Sequence, residues 1–96
     1  FATCAGRLSA VMEYQWMFDG EASERTKDQR AAVLELVSAV MEPDQGHDVL
    51  SWRLAGKQAQ YVLLTRGTFN ENPDDAAWAM SQAERFAAEC TGFLLS

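Results

Sequence analysis

Cys4 and Cys90 are the two cysteines of this 96-residue chain, and thiol chemistry is the first that its residues suggest. A catalytic dithiol normally uses Cys-x-x-Cys spacing, which lowers the pKa of one thiol. These two cysteines stand near opposite ends of a small domain, the pattern of a structural disulfide. Free buried thiols and redox chemistry are the weaker readings. His47 is the single histidine, with Glu42, Asp44 and Asp48 beside it in one turn. Zinc needs several ligands at fixed spacing, so a solvated turn histidine accounts for it better. Ser51 lies one helical turn beyond His47, and Asp48 completes a Ser-His-Asp composition. Nothing nearby supplies the strained elbow or oxyanion hole that acyl transfer needs. Asn70-Glu71-Asn72-Pro73-Asp74-Asp75 offers oxygen ligands for calcium but lacks the Asp-x-Asp-x-Asp-Gly spacing of an EF-hand loop. Four methionines and one histidine do not forbid a non-covalent haem, yet Cys-x-x-Cys-His is absent. The expectation is therefore no catalytic residue, no metal, no cofactor and no enzyme.

The elements that would position these residues read as helices. Two prolines and six glycines leave long runs rich in Ala, Leu, Met, Glu, Gln and Arg, residues that lose little side-chain freedom on a helix. No sustained period-2 alternation marks a strand. The first helix is expected over residues 2–18, with Cys4, Ala5, Leu8, Val11, Met12, Gln15 and Phe18 on one face. Gly20 should close it in the left-handed conformation. The second is expected over 24–42, capped by Ser23 or opened by the capping box Thr26-x-x-Gln29. Its face is Arg30, Val33, Leu34, Val37, Val40 and Met41, and Pro43 stops it. The third, over 48–69 with Asp48 as N-cap, carries two apolar stripes. Trp52, Ala55, Gly56, Ala59, Val62 and Leu63 form one, and Leu50, Leu54, Tyr61 and Leu64 the other. Gly56, Ala55 and Ala59 suggest close approach of a neighbouring backbone. The fourth runs over 73–91, capped by Asn72, with Pro73 in its first turn and Ala76, Ala79, Met80, Ala83, Phe86, Ala87 and Cys90 inward. The tail Phe93-Leu94-Leu95 should fold back onto the bundle end.

Four such helices with short connections predict one all-α domain over 1–96, an up-down-up-down four-helix bundle. That topology puts the start of the first helix and the end of the last at the same end. Cys4 and Cys90 can then meet and join the N- and C-terminal helices. Closing so long a loop is worth about 4–5 kcal/mol in the chain-entropy model.

A net charge of −6 and scattered basic residues exclude nucleic-acid binding through phosphate neutralisation. The longest apolar run, Ala31 to Met41, is short and interrupted by Glu35 and Ser38, so no transmembrane segment is expected. The chain opens Phe-Ala-Thr-Cys rather than with methionine. Together with a paired cysteine set this suggests export to an oxidising compartment, the periplasm, with a signal peptide removed; a cytosolic fragment with two inert buried thiols is the alternative.

What the bundle does not absorb is surplus apolar surface. Tyr14, Trp16 and Met17 on the first helix, Leu50, Leu54, Tyr61 and Leu64 on the third, and Trp78 on the fourth exceed one stripe per helix. Three explanations are open. The third helix could be central and buried on two sides, the residues could form an interface, or they could line a ligand pocket.

Cys-Ala-Gly-Arg-Leu-Ser-Ala at residues 4–10, the Ala-rich last helix and its late Cys90 resemble small exported helical proteins of proteobacteria with a single N-to-C-terminal cysteine pair. The broad plan is also similar in shape to periplasmic acid-stress chaperones. The expected function is a non-enzymatic periplasmic accessory protein. It would be a small subunit or adaptor, a homo-oligomer or a partner of another protein, able to dock on a membrane-bound complex. The alternative is a chaperone or carrier for apolar ligands or unfolded clients.

Overall fold

Asp19 alone separates the first two helices. In the computed structural model, which describes residues 1–92 and 94, α1 spans Ala2–Phe18, α2 Gly20–Val40, α3 Gly46–Phe69 and α4 Pro73–Gly92. Asp19 is extended, at φ −158° and ψ 90°. Its N–H donates to the Gln15 carbonyl at 2.6 Å to close α1. Its carboxylate accepts from the Ala22 N–H at 3.1 Å to open α2. The expected loop at 20–23 is therefore helix, and Gly20 is its first residue rather than a left-handed terminator. No glycine among the described residues has positive φ. An aspartate that caps both helices leaves a terminating glycine nothing to do. Ser23 and Thr26, expected as caps, are buried against α1 instead.

The second connection starts where Pro43 requires. α2 ends at Val40, and the Met41 N–H donates to the Val37 carbonyl at 2.9 Å. Gln45 Oε1 then accepts from the Glu42 N–H at 2.9 Å, and α3 begins at Gly46, two residues before the expected Asp48 cap. The third connection follows its residue types closely. Asn72 Oδ1 accepts from the Asp74 and Asp75 N–H groups at 3.0 and 3.2 Å, with Pro73 first in α4. Asp74 and Asp75 meet the positive end of the helix dipole there.

The four helices run up-down-up-down, and α1 is the central one. It packs along α3 and α2 and, over a shorter length, against α4, while α3 also packs on α4. In a square bundle α1 and α3 would face each other across the core. Here they touch along their backbones, because the residues between them are glycines. A Cβ added at Gly6 would sit 1.9 Å from the Arg53 carbonyl oxygen, and one at Gly56 would sit 2.4 Å from that of Thr3. Bundles are held apart by side chains, and removing the side chain from each partner lets parallel α1 and α3 approach to backbone contact.

The rest of the α1 surface near its N-terminus is equally small. Ala2, Ala5, Gly6, Ser9 and Ala10 are buried along with Leu8. Leu8 and Ala5 meet Val33 and Cys90, with Leu94 packed against them. Ala10 meets Leu64 and Ala83. The fold-back expected for the tail is seen at Leu94, while Phe93 and Leu95 lie outside the described residues. The disulfide closes this end as the topology requires, with Cys4 and Cys90 Cα atoms 5.2 Å apart. The α1–α2 contact is partly polar. Arg30 Nε donates to Ser9 Oγ at 2.6 Å, Ser23 Oγ to the Met12 carbonyl at 3.2 Å, and Thr26 Oγ1 to Gln15 Oε1 at 2.6 Å. Gln60, 1% exposed, donates from Nε2 to the Ala83 carbonyl at 2.8 Å and fixes α3 on α4. Each of these buried polar groups has its partner, which burial requires.

Several expected core positions lie outside. Phe18, Val40, Trp52 and Val62 are all about half-exposed or more, and Ala55 and Ala59 are exposed. The explanation that placed α3 at the centre fails, since α1 takes that position. Among the described residues no helix is long and apolar enough to cross a membrane.

Candidate interaction groove

Because α1 is central, α2 and α3 need not pack on each other. They meet near the turn that joins them, where Val37 and Val49 cluster with Ala2. Beyond that point a groove runs along α3 beside α1, which α2 joins through Arg30 at the Leu50 end. Three adjoining hollows make up this groove. The first is lined by Gly6, Ser9, Arg30, Leu50, Arg53, Leu54 and Lys57. The second, over Leu54, Lys57, Gln58 and Tyr61, shares residues with both neighbours. The third is the most apolar, a cavity of about 260 Å³ whose walls include Tyr14, Met17, Tyr61, Leu64 and Phe69.

Six of the eight candidate residues therefore come together: Tyr14, Met17, Leu50, Leu54, Tyr61 and Leu64. They differ in what they present. Leu64 is buried and belongs to the core with Ala10 and Ala83, so it is floor and not surface. Tyr14 is half-buried. Thr68 Oγ1 donates to the Leu64 carbonyl at 2.8 Å, so the Tyr14 hydroxyl, 3.3 Å from Thr68 Oγ1, is the donor in the contact between the two hydroxyls. Its ring lies 4.9 Å from that of Phe18. Met17, Leu50, Leu54 and Tyr61 are open, from 50% to 66% exposed. Trp16 and Trp78 are also exposed but line none of these hollows. Trp78 instead packs under the Arg66 guanidinium, 5.4 Å from its ring centroid.

One wall residue is missing from the sequence reading. Phe69, 72% exposed, rims the cavity and was counted only as a helix end. It continues the Tyr61, Thr65 row at i, i+4, i+8, a spacing that could have found it. The groove also carries charge. Lys57 Nζ pairs with Glu13 Oε1 at 2.9 Å, and Arg30 and Arg53 line the hollow at the Leu50 end.

The residues first considered for chemistry do not converge. His47, Asp48 and Ser51 are each exposed in the first turns of α3. Cys4 and Cys90 are spent in the disulfide. Among the described residues no three His, Cys, Asp or Glu side chains are grouped to hold a metal. In the Asn70–Asp75 segment the polar atoms bond to one another and to the start of α4. Arg66 Nη2 donates to Asp75 Oδ1 at 2.7 Å, and Asn70 Nδ2 donates to its other oxygen. The bond from Arg66, with its charge, holds the Asp75 carboxyl below the ordinary aspartate value.

No family model, curated protein or solved structure matches this chain.

Proposed function

We propose that this is a non-enzymatic interaction protein, a small accessory subunit or adaptor that docks through the α3 groove. The observation that carries the reading is the convergence of Met17, Leu50, Leu54, Tyr61 and Phe69, large and exposed, on one continuous groove. Scattered exposed apolar residues are ordinary, whereas contiguous ones mark a surface that another molecule covers. Export to the periplasm fits a Cys4–Cys90 disulfide, since such bonds persist in oxidising compartments. Docking on a membrane-bound complex is part of the same reading. The test is to purify the native protein under mild conditions and compare it with Leu54→Ser and Tyr61→Ser. Both variants should keep the monomer's helical signal and melting temperature while losing the associated species. Retained association, or unfolding of both variants, overturns the reading.

A second reading, a carrier of compact apolar ligands or a holder of unfolded clients, is favoured by the third hollow. Its lining of Tyr14, Met17, Tyr61, Leu64 and Phe69 suits an aromatic guest. An environment-sensitive apolar dye should then compete with such a guest and lose its signal in Met17→Glu. A dye signal unaffected by guest and substitution removes this reading.

A further inference from the structure

The groove is chemically two-ended, and this identifies the kind of partner it fits. At the Leu50 end its lining holds Arg30, Arg53 and Lys57, three of the eight basic residues of a chain with net charge −6. That hollow is lined by no carboxylate. Lys57 has Glu13 at 2.9 Å. Arg30 reaches only the neutral Ser9 hydroxyl, and no carboxylate pairs with Arg53 among the described residues. At the other end the lining turns aromatic and apolar, through Tyr61, Met17 and Phe69. From Leu50 to Phe69 the groove follows about 28 Å of helix at 1.5 Å per residue.

We propose that the groove takes one amphipathic helix of a partner protein, about 18 residues long, with Leu- or Phe-type anchors along one face and carboxylates beside those at one end. This rests on the interaction reading above and names the chemistry of the partner. A helix laid along α3 and over α1 packs as a further member of the bundle, with anchors recurring at i, i+3, i+4 and i+7. Its carboxylates meet Arg53 and Arg30, whose guanidinium forks suit them. The other occupants fit less well. A second copy could offer the outer face of α2, where Glu21, Glu24, Asp28 and Glu35 are exposed with only Ala31 and Ala39 as apolar residues among them. It could also offer that of α4, where Asp74, Glu84 and Glu89 are exposed with the single large apolar residue Trp78 and no row of anchors. Either face has the charge and lacks the anchors. An anionic membrane is flat and does not follow a concave groove.

The test uses a fluorescent 18-residue helical peptide with leucines on one face and glutamates flanking them over half its length, and the same peptide with lysines in place of the glutamates. Binding to the full chain is read by anisotropy. The glutamate peptide should bind at least about tenfold tighter than the lysine peptide, and more weakly as salt rises. Arg53→Glu should reverse that order. If this variant melts early, Arg53→Gln should bring the two peptides to near-equal affinity, and the salt series on the unaltered chain needs no variant. Equal binding of both peptides, or of neither, overturns the proposal. So does a concentration-dependent dimer in sedimentation that peptide does not displace, or tighter binding to phosphatidylserine vesicles than to the glutamate peptide. Association of the native protein that is lost in Leu54→Ser but untouched in Arg53→Glu would sink the acidic helix and leave the interaction reading standing.

Discussion

The two halves of α1 solve opposite problems. Over residues 2–10 it presents Ala2, Ala5, Gly6, Ser9 and Ala10 around Leu8, and three helices close on it. Over residues 14–18 it presents Tyr14, Trp16, Met17 and Phe18, and the last three are exposed. Side-chain volume is the difference. Small residues let neighbours approach until backbones touch, so that half is sealed and disulfide-bonded. Large residues cannot fit where backbones already meet, and of these Tyr14 and Met17 line a cavity while Trp16 and Phe18 stand in solvent. The rigid half provides the frame on which the open half is held, an arrangement suited to binding with little ordering cost.

Breaking the sealed half should have the largest effect. The double variant Cys4→Ser, Cys90→Ser should lose about 4 kcal/mol of stability, most of it by releasing the unfolded chain. Urea unfolding would measure this, and an unchanged midpoint would show that the helix contacts alone suffice. Gly6→Ala comes next. The added methyl would meet the Arg53 carbonyl, which is backbone and cannot step aside, so α1 and α3 must separate at a cost of about 3 kcal/mol. Gly56→Ala should cost about 2 kcal/mol for the same reason, while Gly20→Ala, with open space around it, should be neutral or slightly stabilising. Equal melting temperatures for Gly6→Ala and Gly20→Ala would refute the backbone contact.

The open half should respond differently. Met17→Ser and Tyr61→Ser should shift stability by about 0.5 kcal/mol or less, because their side chains already stand in solvent. A loss as large as that of Gly6→Ala would make them core residues and end the comparison. The smallest effect concerns pH. Because Asp75 titrates below its ordinary value when folded, its bond to Arg66 stabilises the native state above the unfolded pKa of about 3.9. That contribution fades as pH falls through the lower folded value. NMR titration should place the Asp75 midpoint below the ordinary aspartate value, and Arg66→Gln should raise it.

Much of this was legible in one dimension. Asn72-Pro73-Asp74-Asp75 starts a helix through local hydrogen bonds and dipole, and Pro43 stops one by lacking an N–H, so neighbours decide little there. Cys4 and Cys90 pair because alternating helices bring chain ends together. The inward face of α4 followed from its spacing. Less legible were Ser23, Thr26 and Gln60, polar residues buried because a specific carbonyl or amide lies opposite each. No local pattern reports such a partner. The groove was half-visible, since its residue types were surplus to any single stripe, but Leu64 and Leu54 share that stripe in sequence and part company in space.

By itself, then, the sequence determined four helices, their order and direction, the disulfide and the excess of apolar side chains. Those depend on spacing, capping and chain connectivity, all of which are local or topological. Only the tertiary structure decided that α1 and not α3 is central. Gly6 and Gly56 lie fifty residues apart in the chain, and the contacts of Gly6 with the Arg53 backbone and of Gly56 with the Thr3 backbone draw together two helices that a square bundle keeps apart. That approach leaves a groove along α3 and α1, and it gathers Met17, Leu54, Tyr61 and Phe69 along it.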